Sequence, residues 1–193
     1  MIIQLRAPMG GGKTYCMRHV LEAYKMQPVD EGLNGSKKRP EAYRVPGKDP
    51  KLAVLGPYVA TCGGMDAVNS VQQSIDIINK YAAIYNVVTY EGMMLGHIYG
   101  RHGEAMISKY GDDHLFVFLN TPLDVCIERV RKRREARGAD GKNFDPKNIK
   151  QSYDTVWSSH DRVLCNGGRV LKIGYKDAPK DFLKLVRRYA NAR

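Results

Sequence analysis

The sequence predicts an α/β fold in which a mostly parallel β-sheet is covered by helices on both faces. Two observations support this fold class. Short apolar runs typical of buried strands alternate along the chain with segments whose apolar residues recur at helical spacing. The helical segments lie between the strands, which is the connection that parallel neighbouring strands require. With 193 residues, the chain suits a single domain, 1–193, with a sizeable core.

The first strand and the first helix are joined by a glycine-rich turn. The apolar run IIQL, residues 2–5, is typical of a buried strand, and a helical pattern extends over about residues 13–26. The turn between them reads APMGGGKT, residues 7–14. A strand, a glycine-rich turn, Lys-Thr and a helix form the context of a phosphate-binding loop.

The chemistry of such a loop explains these residue types. Glycines let successive backbone N–H groups converge on phosphate oxygens, and the positive end of the helix dipole adds to the attraction. We expect Lys13 to reach the β- and γ-phosphates of ATP and the Thr14 hydroxyl to ligate Mg²⁺. The residues expected to contact the donor are Met9, Gly10, Gly11, Gly12, Lys13, Thr14 and Tyr15, with Arg131 and Arg134 from farther along the chain.

One position departs from the usual pattern of this loop. G-x-x-x-x-G-K-[ST] begins with a glycine, and this chain has Ala7 there. Alanine disfavours positive φ, so we expect the turn at this position to suit a residue with a Cβ atom. The alternative interpretation is a glycine-rich turn that precedes Lys-Thr by chance.

The remaining elements follow in order. Residues 27–50 are rich in Pro, Gly and Lys and predict a basic loop, either solvated or in contact with substrate. Apolar runs predict strands at 52–55 (extending through 58–59), 86–90, 114–119 and 169–173. Helices are predicted after the turn at 61–66, over about 94–109, from Pro122 with Thr121 as N-cap, over about 146–164 and over about 179–190.

Two carboxylates are candidates for catalysis, because ligands bind at the carboxyl ends of the strands in such sheets. Glu91 directly follows a predicted strand, where it could hold Mg²⁺ through water or accept a proton from an acceptor hydroxyl. The alternative for Glu91 is a helix N-terminal residue favoured by the dipole. Asp66, at the start of the helix predicted after the second strand, is the rival base, and a helix-cap role explains it equally well.

An arginine-rich segment follows the predicted strand at 114–119. Arg129, Arg133 and Arg137 are spaced four apart and would form one row on a helix, with Arg131 and Arg134 in a neighbouring row. Such a row at the mouth of a phosphate site can clamp phosphoryl oxygens and stabilise charge in the transition state. The alternative is a solvated basic face.

Bulk composition limits the class of protein. The formal net charge of +11 favours polyanionic partners, either nucleotides alone or nucleic acid through a basic surface. The four cysteines and five histidines show no metal-ligand spacing, so we expect reduced thiols, no protein-built metal site, and Mg²⁺ that arrives with the nucleotide. No signal peptide or membrane span is expected, and a cytoplasmic location follows, in the host if a phage encodes the chain.

The segment LFVFLNTPLDVCIERVRKRREARG resembles the part of nucleoside and nucleotide monophosphate kinases in which a strand leads through Thr-Pro into an arginine-bearing lid. Together with APMGGGKT and TYEG, it makes the chain similar to these P-loop kinases over most of its length. The resemblance implies a three-layer P-loop kinase fold with a five-stranded parallel core. It also implies ATP-dependent phosphoryl transfer and a lid at about 131–146.

The acceptor side departs from the familiar members of that group. Glu91-Gly92 stands where thymidylate kinases commonly carry an Asp-Arg pair. A monophosphate acceptor needs no base, whereas a hydroxyl benefits from a carboxylate, so Glu91 and Asp66 favour a hydroxyl acceptor. The compact size, the basic balance and the lysine- and arginine-bearing loop at 37–51 also resemble phage-encoded P-loop kinases that phosphorylate 5-hydroxymethyluracil within DNA. The alternatives are a deoxynucleoside monophosphate kinase and a non-catalytic nucleic-acid-binding protein with a P-loop.

Overall fold

The computed structural model describes residues 1–29, 32–36, 38–47, 51–60, 63–97, 99–138 and 144–192. One β-sheet lies between layers of helices. Its strands are β1 (Ile2–Arg6), β2 (Gln27–Pro28), β3 (Ala42–Arg44), β4 (Leu52–Leu55), β5 (Val87–Glu91), β6 (His114–Asn120) and β7 (Arg169–Gly174). The helices are α1 (Lys13–Ala23), α2 (Val71–Ala82), α3 (Met93–His97), α4 (Glu104–Tyr110), α5 (Leu123–Glu135), α6 (Lys147–Cys165) and α7 (Ala178–Asn191).

The described sheet has seven strands, in the order β2-β3-β4-β5-β1-β6-β7, rather than the five that the resemblance implies. The five strands from β4 to β7 in this order pair in parallel. The two extra strands, β2 and β3, add antiparallel pairs at the β4 edge. They lie within the segment predicted as a basic loop, and strands of two and three residues are too short to show a period in the sequence.

The sheet buries apolar side chains on both faces. On one face Ile3 and Leu5 of β1 pack in a cluster with residues of α1 and α7. On the other face Ile2 packs in a cluster with residues of α2, α4 and α6. Alternation of side chains along β1 sends neighbouring residues to opposite layers, which gives the three-layer architecture. The prediction of an α/β fold in which helices cover both faces of the sheet is confirmed.

The segment predicted as one helix over 94–109 is interrupted. It consists of α3, a π-helical turn at Tyr99–Gly103, and α4. Gly96, Gly100 and Gly103 weaken helical propensity in this segment. His102 in the π turn is fully buried, with its Nε2 atom 3.2 Å from the Tyr90 hydroxyl. Burial of this imidazole against β5 accompanies the change in helical geometry.

Two other local predictions are wrong. Thr121 does not cap the next helix: α5 begins at Leu123, and the Thr121 hydroxyl donates to the Gly11 carbonyl instead (2.9 Å). Strand β4 ends at Leu55 and does not extend through residues 58–59, because Gly56 adopts a φ of +91° and turns the chain. Thr61, Cys62 and part of the predicted lid, residues 139–143, lie outside the described residues. No helix of the described chain is both long enough and apolar enough to cross a membrane.

Candidate active site

The loop between β1 and α1 is shaped by glycines in the left-handed region. Gly10 has a φ of +80° and Gly12 a φ of +101°, conformations that side chains with a Cβ atom rarely adopt. A Cβ atom on Gly10 would lie only 2.4 Å from the Cys126 carbonyl oxygen. The loop therefore packs directly against the backbone of α5, which carries the predicted arginine row.

The alanine at the start of the loop is accommodated by a glycine opposite. Lys25 is the one residue other than glycine with positive φ in the described chain, so Ala7 needs no left-handed conformation. A Cβ atom on Gly11 would lie 2.6 Å from the Ala7 Cβ atom and 3.0 Å from the Pro8 carbonyl oxygen. Ala7 thus fills the space that Gly11 leaves, and the expectation that this turn suits a Cβ atom agrees with the structure.

The loop and the start of α1 present donors suited to an anion. Cys16 N–H makes an early intrahelical bond to the Gly12 carbonyl (3.1 Å), and the N-cap residue Gly12 makes no side-chain hydrogen bond to the amides of the first turn. The Lys13 ammonium donates to the Ala7 carbonyl (2.8 Å) and the Pro8 carbonyl (3.3 Å). These carbonyls hold the lysine in the loop, so the helix N-terminus and one buried cation converge on the same space.

Glu91 reaches this loop from the end of β5. The Thr14 hydroxyl donates to Glu91 Oε1 across 2.8 Å, and Glu91 is only 1% exposed. Burial raises the pKa of Glu91 to about 7, against opposing effects of the Lys13 charge and the Thr14 hydrogen bond. Gly64 makes this burial possible: its φ is +84°, and a Cβ atom there would lie 2.8 Å from Glu91 Cδ. The carboxylate is therefore enclosed between the loop and the Gly63-Gly64 turn.

Asp66 caps a helix, but not the one that the sequence indicated. It lies in a 3₁₀ turn, Met65–Ala67, and α2 begins later, at Val71, where Ser70 accepts from Gln73 N–H. The Asp66 carboxylate accepts from Met93 N–H (2.9 Å) and Met94 N–H (3.0 Å) at the start of α3. Both oxygens thus take part in fixing α3 beside Glu91.

The arginine row divides between the site and the surface. Arg129 lies against the loop, with Nη1 3.5 Å from the Gly10 carbonyl oxygen, and Arg133 lines the same cavity. Arg131 instead pairs with Glu128 (2.8 Å) and Glu135 (3.1 Å), and the Arg134 guanidinium lies over the Phe144 ring. Arg137 is exposed and lies beyond the end of α5 at Glu135.

No protein-family model matches the chain. The chain is 30% identical over 154 residues to the 5-hmdU DNA kinase of Pseudomonas phage PaMx11, a match that covers 79% of each protein. It belongs to the 5-hmdU DNA kinase family. The 5-hmdU DNA kinase of Pseudomonas phage M6 is 24% identical over 192 residues, covering 95% of this chain and 96% of that relative. The family resemblance seen in the sequence is confirmed.

A solved structure shares the fold. The structure of the YorR protein of Bacillus subtilis, in complex with phosphorylated GDP, aligns with this chain at a TM-score of 0.50. The alignment covers 100% of this chain and 99% of YorR. Sequence identity is only 16%, so the likeness concerns the architecture alone. The 5-hmdU DNA kinase fold therefore has a structural counterpart with little sequence in common.

The loop, Glu91, Asp66 and the two arginines Arg129 and Arg133 surround one cavity of about 480 Å³. A larger groove, about 830 Å³, lies between α6 and β7 and is wide open to solvent. The smaller cavity is the candidate site because the helix N-terminus and the buried Lys13 and Glu91 meet there. Its further lining includes Tyr15, Gly63 and Met93.

Two contacts to the loop were not foreseen in the sequence. Met9 N–H donates to Ser152 Oγ (3.1 Å), which also lies 3.2 Å from His97 Nε2. Thr121 holds the Gly11 carbonyl, as described above. Ser152 is 143 residues from Met9, and no local pattern marks a serine on a long helix as a partner of a distant loop.

A divalent cation would need oxygen ligands at this site. The Thr14 hydroxyl and the Glu91 carboxylate are hard oxygen donors at the end of the loop, which fits Mg²⁺. Within the described residues, no group of three or more His, Cys, Asp or Glu side chains is placed to hold a metal. The remaining ligands would have to come from a bound triphosphate and water.

Proposed function

We propose that this protein transfers the γ-phosphate of ATP to the hydroxymethyl group of 5-hydroxymethyluracil in DNA, with Mg²⁺ as the cofactor. The observation that carries the proposal is the pairing of Thr14 with Glu91, which puts a buried carboxylate against the phosphate loop. Membership of the 5-hmdU DNA kinase family supports the acceptor. The net charge of +11 is compatible with a polyanionic substrate.

The residues of the loop hold the donor. The amides at the start of α1 and the Lys13 ammonium bind the phosphate oxygens, and Lys13 exchanges loop carbonyls for phosphate when it does so. The Thr14 hydroxyl would hold Mg²⁺ together with phosphate oxygens and water, and the bound ion would neutralise phosphate charge. Arg129 and Arg133, on the α5 side of the cavity, stabilise the charge that develops on the transferred group.

Glu91 is the group that we assign as general base. The oxygen of the hydroxymethyl group forms a bond to the γ-phosphorus, and the bond from that phosphorus to the β–γ bridging oxygen breaks. ADP leaves with the electron pair of the broken bond, and the hydroxyl proton passes to the Glu91 carboxylate. Asp66 is less suited to this step because two backbone amides of α3 already occupy its oxygens.

The proposal is tested with γ-labelled ATP, Mg²⁺ and three acceptors: DNA containing 5-hydroxymethyluracil, the same DNA with thymine, and free deoxynucleotides. Label is expected only in the first acceptor and is expected to disappear with Lys13→Ala. Label in free nucleoside diphosphates alone would identify a deoxynucleoside monophosphate kinase. Tight DNA binding that falls steeply with salt, without ATP turnover, would indicate a non-catalytic binding protein.

A further inference from the structure

A second, smaller cavity adjoins the phosphate cavity. It has a volume of about 230 Å³ and is lined by Arg39, Pro57, Val59, Ala60 and Ala67, together with Gly63 and Asp66. The last two residues also line the phosphate cavity, so the two spaces meet at the Gly63–Asp66 segment. A group in the second cavity can therefore extend a substituent past Asp66 toward Glu91.

The small cavity differs in chemistry from the site that it adjoins. Most of its wall is apolar, from Pro57, Val59, Ala60 and Ala67, and the one cationic side chain in its lining is that of Arg39. Val59 is 63% exposed, so its side chain is accessible to a ligand in this cavity. Cavities for drug-sized ligands have volumes of about 300–1,000 Å³, so this space suits something smaller, the size of a single base.

Residues 56–60, which form the apolar wall of the small cavity, are held in place from two sides. Gly64 N–H donates to the Pro57 carbonyl (3.0 Å), and a Cβ atom on Gly56 would lie 2.4 Å from the Gly64 carbonyl carbon. Arg18, on α1, donates to the Tyr58 carbonyl (3.1 Å) and to the Ala60 carbonyl. The wall is thus tied to the helix that begins with Lys13, so the small cavity is held in a set position relative to the phosphate loop.

We propose that this cavity is the subsite for the acceptor base, with the pyrimidine ring between Pro57, Val59 and Ala67 and a neighbouring DNA phosphate on Arg39. The proposal rests on the proposed function and names where its acceptor binds. An apolar wall suits the faces of a base, and a guanidinium at the rim suits the phosphate of the strand. Because Glu91 is almost completely enclosed, the base leaves the helical stack to bring its hydroxymethyl group to that carboxylate.

The test fills the cavity while keeping the backbone that Arg18 holds. Ala60→Trp places a large side chain on the wall, and Ala83→Trp, at the exposed residue directly after α2, is the matched control. We expect Ala60→Trp to raise KM for DNA containing 5-hydroxymethyluracil by about tenfold or more, as overfilling of a packed site does. The Kd for ATP is expected to stay within about twofold of wild type, and Ala83→Trp is expected to leave both constants unchanged.

A second pair of variants tests whether Arg39, at the edge of the small cavity, binds a DNA phosphate. Arg39→Ala is expected to weaken DNA binding and to reduce the slope of log K against log salt by about one, as loss of one phosphate contact does. Its neighbour Lys38, which does not line the cavity, provides the control Lys38→Ala. An equal loss of slope in both variants would show that Arg39 contributes only to the general basic surface and would overturn its assignment.

The two proposals fail in different ways. If the wild-type protein binds ATP but leaves the hydroxymethyluracil DNA unlabelled, the proposed function is wrong, and the subsite falls with it. If the wild-type protein labels that DNA and Ala60→Trp does so with an unchanged KM, the function stands and the base binds elsewhere. A raised KM with an intact ATP Kd supports the subsite.

Discussion

Thr14 and Glu91 are 77 residues apart in the sequence, and the Thr14 hydroxyl donates to Glu91 Oε1 across 2.8 Å. In this arrangement the proposed metal ligand and the proposed base hold each other in place. Parallel pairing of β5 with β1 produces it, because Leu5 lies beside Glu91 in the register of the sheet. The phosphate loop, which follows β1, therefore lies close to the Glu91 carboxylate.

Glu91→Gln tests the base directly. Glutamine keeps an oxygen that can accept from Thr14 but cannot take the proton of the acceptor, so kcat is expected to fall about 10²–10⁴-fold. The Kd for ATP is expected to change much less, and both are measured in steady-state and equilibrium assays. The matched control is Glu22→Gln, on the exposed surface of α1. A Glu91→Gln protein with wild-type kcat would remove Glu91 from the chemistry.

The division of the arginine row gives a second prediction. Arg129→Ala and Arg133→Ala should each lower kcat by at least about tenfold, because both side chains line the cavity where charge develops. Arg131→Ala should have a much smaller effect, because that guanidinium is held by Glu128 and Glu135. Arg188→Ala, on α7, controls for the loss of one positive charge. Equal losses from Arg129 and Arg188 would contradict a specific contact.

The contact between Ala7 and Gly11 predicts a coupled pair of substitutions. Gly11→Ala should weaken ATP binding by about tenfold or more, because the new Cβ atom would lie 2.6 Å from that of Ala7 and the loop would have to shift. Ala7→Gly alone should be mild. The double variant should recover part of the lost affinity, since one of the two close contacts is relieved. Strict additivity of the two effects in a double-mutant cycle would show that the side chains do not interact.

A buried cluster behind the site predicts how stability depends on pH. The Tyr90 hydroxyl oxygen lies 3.2 Å from His102 Nε2 and 3.0 Å from His114 Nε2, and all three side chains are fully buried near Arg6. Burial, helped by the Arg6 charge, lowers the pKa of His102 from 6.5 to about 3, and burial also lowers the pKa of His114. Between pH 6.5 and about 3, His102 binds a proton in the unfolded chain but not in the folded chain.

As the pH drops below 6.5, these histidines therefore lower the free energy of unfolding. Glu91 acts in the opposite direction, because its pKa is raised to about 7 in the folded state. Urea unfolding of wild type and of His102→Gln from pH 7.5 to 5.5 separates the two effects. The free energy of unfolding of the variant should fall less, or rise more, than that of wild type as the pH drops. Tyr90→Phe should cost about 1–3 kcal/mol at pH 7.5, because it leaves buried imidazole nitrogens without their hydroxyl partner. A pH dependence that is identical in wild type and His102→Gln would contradict the assignment of the titrating group.

The sequence predicted those parts of the site that local patterns encode. APMGGGKT lies between β1 and α1 as expected, because glycines, Lys-Thr and a helical start are contiguous. The spacing of Arg129 and Arg133 placed both on one face of α5, since helical periodicity fixes neighbouring turns. Their separation from Arg131 could be anticipated only in part, because the pairing with Glu128 depends on side-chain geometry.

Other features depend on tertiary contacts and leave no local signal. The Ser152 hydroxyl supports Met9 only because α6 packs beside the loop, and the Thr121 hydroxyl bonds to Gly11 although its sequence context is that of an N-cap. Strands β2 and β3 form because β4 offers them an edge, not because of their own composition. The helix predicted over 94–109 is divided into α3, a π-helical turn and α4 by tertiary contacts, and the spacing of its apolar residues does not show that division.

Helix α1 begins with Lys13 in the phosphate loop, and Arg18 on the same helix holds the carbonyls of the wall at Tyr58 and Ala60. Helix α1 therefore contacts both the proposed donor site and the proposed acceptor subsite. Any displacement of α1 when triphosphate binds is passed to the wall, which would make the affinity for one substrate depend on the other. Thermodynamic linkage requires that dependence to be reciprocal, so DNA would alter the affinity for ATP by the same factor.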